Sequence, residues 1–443
     1  MELTRAYLER IRELDGKLNS YITLTEDVAI RQAKQAEAEI LAGRYRGPLH
    51  GVPYAAKDLV ATKGIRTTWG SRLFEDQVPD HDATIVERLR DAGAVLLGKL
   101  SMSELAAGGQ PDAALNGPVH NPWKLDHWTF GSSTGPAASV AAGLAAFAIG
   151  SETTTSILRP ASTTGIVGLR PTYGRVSRHG IMPLSWTMDK VGPMARRVAD
   201  CATVLDAIHG ADPNDPTSIS APFDFLPGEK TAGRRVGVVR AEFQQLGDLP
   251  VAETYRQALD VLQGLGVILE DAQLPSFPYR EVTSFIWQVE GFSVFEPWLR
   301  DGRLQRALVN KDRWIGWRAA ALIPAPDYMK ALRIRQAIVR AVGELTRRFD
   351  VLVAPMNPLG ARPIERPTNT GTSGRPNLEP RLQYQGTLAG IPAISVPCGF
   401  TARGLPGGLA FAAGDMRDSA ACQMAHAFEQ ATGWHRHRPT FRE

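Results

Sequence analysis

Lys57, Ser132 and Ser156 are the residues whose types and spacing could do chemistry together. The serines stand 24 positions apart, and the lysine lies 75 positions before the first of them. A serine hydroxyl is a poor nucleophile until a base removes its proton. A lysine amine can be that base only when neutral, and burial in a low-dielectric pocket makes it so by depressing its pKa. Lys57 follows Gly51-Val52-Pro53-Tyr54-Ala55-Ala56. Ser132 lies in Gly131-Ser132-Ser133-Thr134-Gly135, and Ser156 in Ser151-Glu152-Thr153-Thr154-Thr155-Ser156-Ile157. A nucleophile, a relay and a base together would serve acyl transfer. Any one of them alone is an ordinary surface or loop residue.

The elements that must position these residues alternate between helix and strand. Leu3 to Leu14 and Asp27 to Leu41 read as amphipathic helices. Residues 51–56 form a short strand leading to Lys57, Ala83 to Ala94 a helix, and 94–99 a strand. Pro136 suits the start of a helix, and the apolar run Ala137 to Gly150 reads as one buried core helix, too short to span a bilayer. Asp350 to Pro355 is a strand. The pattern predicts one α/β body over residues 1–443, with a large mixed, mostly parallel sheet surrounded by helices. Asp212 to Lys230 is a surface loop, and 358–380, rich in Pro, Thr, Gly and Asn, reads as a mobile one. Residues 212–350 form a variable region. Its aromatics Phe285, Trp287, Phe292, Phe295, Trp298, Trp314 and Trp317 pack a core or wall a pocket. The Arg-rich stretch from Arg300 to Arg348 keeps Ile334, Ile338, Val342, Leu345 and Phe349 at helical spacing, so its charges belong to a solvated helix face.

Composition excludes several classes. The 50 basic and 46 acidic residues are interleaved, so neither nucleic acid nor an anionic membrane is implied as a partner. Cys201, Cys398 and Cys422 form no metal or disulfide spacing and read as reduced cytosolic thiols. The first residues have no apolar signal core, so a cytoplasmic location is expected. His435 and His437 belong to a solvated tail rather than a metal site. Ser133 sits in Gly131-x-Ser133-x-Gly135, which fits the nucleophile elbow of an α/β-hydrolase-type esterase. The strand that elbow needs is not apolar here (Trp123-Lys124-Leu125-Asp126-His127-Trp128), so Ser133 reads as loop support.

The constellation resembles the amidase signature family. The likeness covers about half of the chain, from Leu49 to about Asp206 and again from about Val351 to Gly408. It is carried by Leu49-His50-Gly51-Val52-Pro53 with Lys57-Asp58, by Asn121-Pro122-Trp123, and by the Ser132 loop. After Ser156 come Pro160-Ala161-Ser162, Gly165-Ile166-Val167-Gly168-Leu169-Arg170-Pro171-Thr172, Gly174-Arg175-Val176-Ser177-Arg178, Asp189 and Gly192-Pro193-Met194. Ala389-Gly390-Ile391-Pro392 through Pro397 and Gly404-Leu405-Pro406 close the set. The resemblance implies a cofactor-free, metal-free amidohydrolase. Ser156 would attack the carbonyl, Ser132, held in a cis peptide, would relay the proton, and Lys57 would be the base. Backbone N–H groups of Thr153, Thr154, Thr155 and Ser156 would hold the oxyanion. Gly108, Gly109, Gly131 and Trp186 are candidates for the substrate wall, with Met188 either beside Trp186 or in the core.

The substrate implied is a small or aryl amide, with carbamates and esters left open, as is a homodimer. Three features depart from the family: Thr153-Thr154-Thr155 where glycines are usual, Phe130 and Thr134 at two further glycine positions, and Thr387 where Asn is often found. They leave room for an inactive, binding-only member. A tRNA-linked amidotransferase subunit is another alternative, and it would demand glutaminase activity and partner subunits.

Overall fold

The computed structural model describes all residues except 109–110, 112–113, 248, 250, 310, 366–377, 379 and 442–443. Among the described residues one 11-stranded sheet runs through the chain. In spatial order its strands are Tyr21–Leu24, Val95–Leu100, Pro53–Lys57, Phe147–Glu152, Lys190–Ala195, Val167–Arg170, Ala393–Phe400, Pro406–Ala412, Val351–Met356, Arg235–Val238 and Ile268–Asp271. The α/β body with a large mixed sheet is what the sequence led us to expect, but the pairing is not mostly parallel: six of the ten described strand pairs in this sheet are antiparallel. Parallel pairing joins Pro53–Lys57 to both of its neighbours, and Arg235–Val238 to both of its own. The middle of the sheet is antiparallel.

The helices cover both faces. Along Ala393–Phe400, Ile394, Val396 and Cys398 enter one cluster with Phe428 of the Asp418–Thr432 helix. Ala393 faces the other way, as the period of two requires. That second face carries the Leu158–Thr164 helix, which follows Ser156. It lies very close to the sheet because the strand opposite has Gly168, where a Cβ would sit 2.7 Å from the Ala161 Cβ and 3.0 Å from the Ile157 carbonyl. The first helix, Glu2–Leu18, buries Thr4, Leu8, Ile11 and Leu18 along one stripe. It ends at Asn19, which takes the left-handed conformation (φ 59°).

The apolar run Ala137 to Gly150 is a correction. It forms two elements, the helix Thr134–Ala142 and the central strand Phe147–Glu152. Gly143 ends the helix in the left-handed region (φ 71°), and both pieces are fully buried, so no periodicity marked the break. The Asp212–Lys230 segment is without helix or strand, as expected. Most of the loop expected over 358–380 lies outside the described residues. Ala325–Thr346 is one helix that buries Ile338, Val342 and Leu345. No described helix is long and apolar enough to cross a membrane.

Candidate active site

Two parallel strands deliver the chemistry to one edge of the sheet. Pro53–Lys57 and Phe147–Glu152 pair in parallel, so their carboxyl ends emerge side by side. Lys57 is the last residue of the first strand, and the second leads through Ser151 and Glu152 into Thr153–Ser156. Sites in open α/β sheets form at such carboxyl ends. The Ser132 segment enters from the side and is tied to this edge by the Ser133 N–H, which donates to the Ser156 carbonyl at 3.3 Å. The Gly131–Ser132 peptide is cis, as the resemblance implied. Glycine at 131 leaves room for Ser103, whose Oγ would lie 2.2 Å from a Cβ there and would have to move.

Lys57 is fully buried and its amine is surrounded by oxygens. Its Nζ lies 2.7 Å from Ser132 Oγ, 3.1 Å from Ser133 Oγ, 2.9 Å from Ser151 Oγ and 3.4 Å from the Ser151 carbonyl. Ser133 spends its hydroxyl proton on the Ser151 carbonyl at 3.2 Å, so toward Lys57 it accepts. That leaves the lysine lone pair for a hydroxyl donor, and Ser132 is the nearest one. Burial pulls the Lys57 pKa down from 10.5 to about 7, opposed by the negative charges of Asp189 and Glu152. A substantial fraction of the amine is therefore neutral at neutral pH, the state a base requires.

The Thr153–Ser156 turn is pinned on every side. The Glu152 carboxylate accepts from the N–H groups of Ile157 at 2.7 Å and Leu158 at 3.0 Å, and pairs with the buried Arg170 at 3.0 Å. The Thr153 hydroxyl donates to Asp189 at 2.6 Å, whose other oxygen accepts from the N–H groups of Leu184 and Ser185. Burial raises the Asp189 pKa, against these hydrogen bonds. Thr387, where Asn is often found, donates its hydroxyl to the Thr153 carbonyl and accepts from Lys190 at 2.7 Å. Its short side chain thus still reaches the nucleophile turn.

None of Thr153, Thr154 and Thr155 has a positive φ, so the glycines usual here are not required by the backbone. The N–H groups of Thr154, Thr155 and Ser156 donate to no group among the described residues, which leaves them available to an oxyanion. Phe130, at another glycine position, does take a left-handed φ of 62°. Its ring is held by Trp128, with centroids 4.8 Å apart, and by the guanidinium of Arg159, 5.0 Å from the ring.

A cavity of about 280 Å³ opens onto Ser156 and is lined by the threonine run, Gly108 and Gly131. Gly109 lies outside the described residues. Trp186 does not line this cavity: it is 52% exposed, and the Arg178 guanidinium stacks on it 4.8 Å from the ring. Met188 is core. Of the aromatics in the variable region, Phe295 and Trp317 are core, whereas Trp287 walls the cavity. Among the described residues no cluster of His, Cys, Asp and Glu is placed to hold a metal. Ser151, Glu152 and Arg159 stand beside the nucleophile in sequence, and their neighbourhood could have drawn attention to them. Arg313, Arg362 and Tyr384 also line the cavity, and they come from distant segments with no local signal.

Comparison with known proteins agrees with this geometry. A family model described as Amidase matches residues 2–422, well beyond the half of the chain in which motifs were legible, and the chain belongs to that family. It is 37% identical to a glutamyl-tRNA(Gln) amidotransferase subunit of Moorella thermoacetica, over 99% of this chain and 94% of that protein. The native peptide amidase of Stenotrophomonas maltophilia is similar in structure with a TM-score of 0.84 and 32% identity, covering 99% of this chain and 95% of that one. A 6-aminohexanoate cyclic dimer hydrolase gives a TM-score of 0.85 at 28% identity, with the same coverage.

Proposed function

We propose that the protein hydrolyses the carbon–nitrogen bond of a small carboxamide through an acyl-enzyme on Ser156. The observation that carries this reading is the buried Lys57 amine, held near neutrality 2.7 Å from Ser132 Oγ. Lys57 takes the Ser132 proton as Ser132 takes that of Ser156, and Ser156 Oγ adds to the carbonyl carbon. The oxygen, now negative, is met by the free N–H groups of the threonine turn, where a single donor is worth about 3 kcal/mol. Ser132 then returns a proton to the leaving nitrogen as the carbon–nitrogen bond breaks. Water attacks the acyl-enzyme with the same relay, releasing the acid and restoring Ser156. Carbamates fit the same sequence, since they differ only in the group attached to the carbonyl.

The test is a fluorophosphonate label followed by peptide mapping, together with Ser156→Ala. Labelling of Ser156, and loss of amide hydrolysis by several orders of magnitude in the variant, is expected. Labelling of Ser133 instead would favour the esterase reading, and no labelling at all a binding-only member. A second reading is that the chain works as the amidase component of a tRNA-dependent amidotransferase, favoured by its 37% identity to a protein of that kind. That reading requires glutaminase activity that rises with partner subunits, whereas the first requires turnover of simple amides by the chain alone.

A further inference from the structure

Arg159, Arg313 and Arg362 make the lining of the Ser156 cavity cationic. A further basic group, Lys190, stands outside that lining, buried beside the nucleophile turn, and the acyl transfer proposed for Ser156 does not use it. Lys190 opens the strand Lys190–Ala195 and pairs across the ladder with Glu152, the last residue before the turn. Its neighbour Asp189 accepts from the Thr153 hydroxyl at 2.6 Å. Lys190 acts at the other end of the same residue. Its Nζ donates to Thr387 Oγ1 at 2.7 Å and lies 3.5 Å from the Thr153 carbonyl, to which the Thr387 hydroxyl donates. Burial pulls the Lys190 pKa well below the usual lysine value; Arg170 and Arg335 act in the same direction, and Glu152 and Asp189 oppose them. Charged or neutral, the nitrogen keeps N–H groups to donate.

The direction of these bonds is fixed. Thr387 Oγ1 accepts from Lys190, so its one proton goes to the Thr153 carbonyl. That carbonyl shares a peptide group with the N–H of Thr154. Thr154 lines the cavity, and its N–H has no partner among the described residues. A hydrogen bond at the carbonyl withdraws charge through the peptide and makes its N–H a stronger donor. Bonds in one chain reinforce one another by roughly 10–30% each. The chain runs one way, from Lys190 through Thr387 and the Thr153–Thr154 peptide to the place where the oxyanion would form. An anchored carbonyl also keeps the peptide plane from rotating, so the N–H needs no reorientation as charge develops.

We infer that Lys190 is a positioning residue for the oxyanion, acting through Thr387 on the Thr154 N–H. This rests on the acyl-enzyme reading and deepens it, by giving a role to two buried side chains that do not line the cavity.

Lys190→Met and Thr387→Val break the chain at two points. Each should lower kcat by roughly tenfold on an amide that the wild type hydrolyses, a fraction of what a lost oxyanion donor costs, with KM changed less than about twofold. The double variant should lose no more than either single one, because both cut the same chain. Thr387→Ser and Lys190→Gln keep a hydroxyl and a donor, and should retain most of the rate. Inhibition by a trifluoromethyl ketone of matched acyl part, which forms an oxyanion on Ser156, should weaken by the same factor as kcat. An unchanged kcat, losses carried by KM, or additive losses overturn the assignment. Should Lys190→Met not fold, Thr387→Val against Thr387→Ser carries the same comparison. Failure of the acyl-enzyme reading is seen separately, in the wild type, as an unlabelled Ser156 and no turnover of any amide. The backbone nitrogen resonance of Thr154 then decides, since it reports hydrogen bonding to the carbonyl before it. A shift of that resonance in Lys190→Met and in Thr387→Val supports the polarised peptide, and no shift in either overturns it.

Discussion

Replacing Lys57 by methionine should remove the activity and stabilise the fold at the same time. Holding the amine at about 7 instead of 10.5 corresponds to about 5 kcal/mol of burial cost, at 1.36 kcal/mol per pH unit. Methionine fills a similar volume and carries no charge to desolvate. It leaves Ser132, Ser133 and Ser151 each short of one hydrogen-bond partner, at roughly 1 kcal/mol apiece. The balance is a gain of about 2 kcal/mol near neutral pH. The sign follows from proton binding. Between the folded pKa of about 7 and the unfolded 10.5, the unfolded chain holds more protons, so wild-type stability rises with pH across this window. The penalty is fully present below about 7 and gone above 10.5. The advantage of the methionine variant should therefore shrink as pH rises and reverse at the alkaline end, where only the orphaned hydroxyls remain. Urea denaturation of both proteins at several pH values reads this directly, with amide hydrolysis measured alongside. A variant less stable than wild type at neutral pH, or one retaining more than roughly a tenth of the activity, would refute the reasoning.

Four further outcomes can be checked. In the wild type, kcat/KM should rise with pH through an apparent pKa near 7, because only neutral Lys57 accepts a proton; a rate that falls over that interval with the protein still folded contradicts the base assignment. EDTA should leave the rate unchanged, and loss of activity that added metal restores would sink the metal-free mechanism. Glu152→Gln should lower stability by about 3 kcal/mol and loosen the Ser156 turn, since it leaves Arg170 buried beside a neutral partner; thermal unfolding and hydrogen exchange at Ile157 and Leu158 would report it. Thr155→Gly should shift preference toward bulkier acyl groups while costing about 0.5–1 kcal/mol of stability, and an equal loss of kcat/KM on small and bulky amides would mean the threonines set oxyanion geometry instead.

Local chemistry made much of this protein legible in its sequence. The Lys57 strand, the Ser132 loop and the Ser156 turn each carry their signal within a few neighbouring residues. Apolar spacing likewise marked the helices Glu2–Leu18 and Glu26–Leu41. Where an element is buried on all sides, as from Ala137 to Gly150, amphipathic period vanishes, and only the packed sheet showed that Phe147–Glu152 is a strand. The threonine run looked like an obstacle because a sequence does not reveal φ; the fold keeps all three residues out of the left-handed region and puts Phe130 there instead. Trp186 suggested a pocket wall by type alone, yet it packs outward against Arg178.

The cationic lining was decided by tertiary structure. Arg159, Arg313 and Arg362 are unremarkable in a chain with 50 basic residues, and they belong to three segments that meet only above Ser156. The depressed pKa of Lys57 has the same origin. The lysine supplies the amine, but the desolvation that neutralises it comes from burial among distant segments, such as that of Ser151, 94 positions away in sequence, that meet it only once the chain has folded.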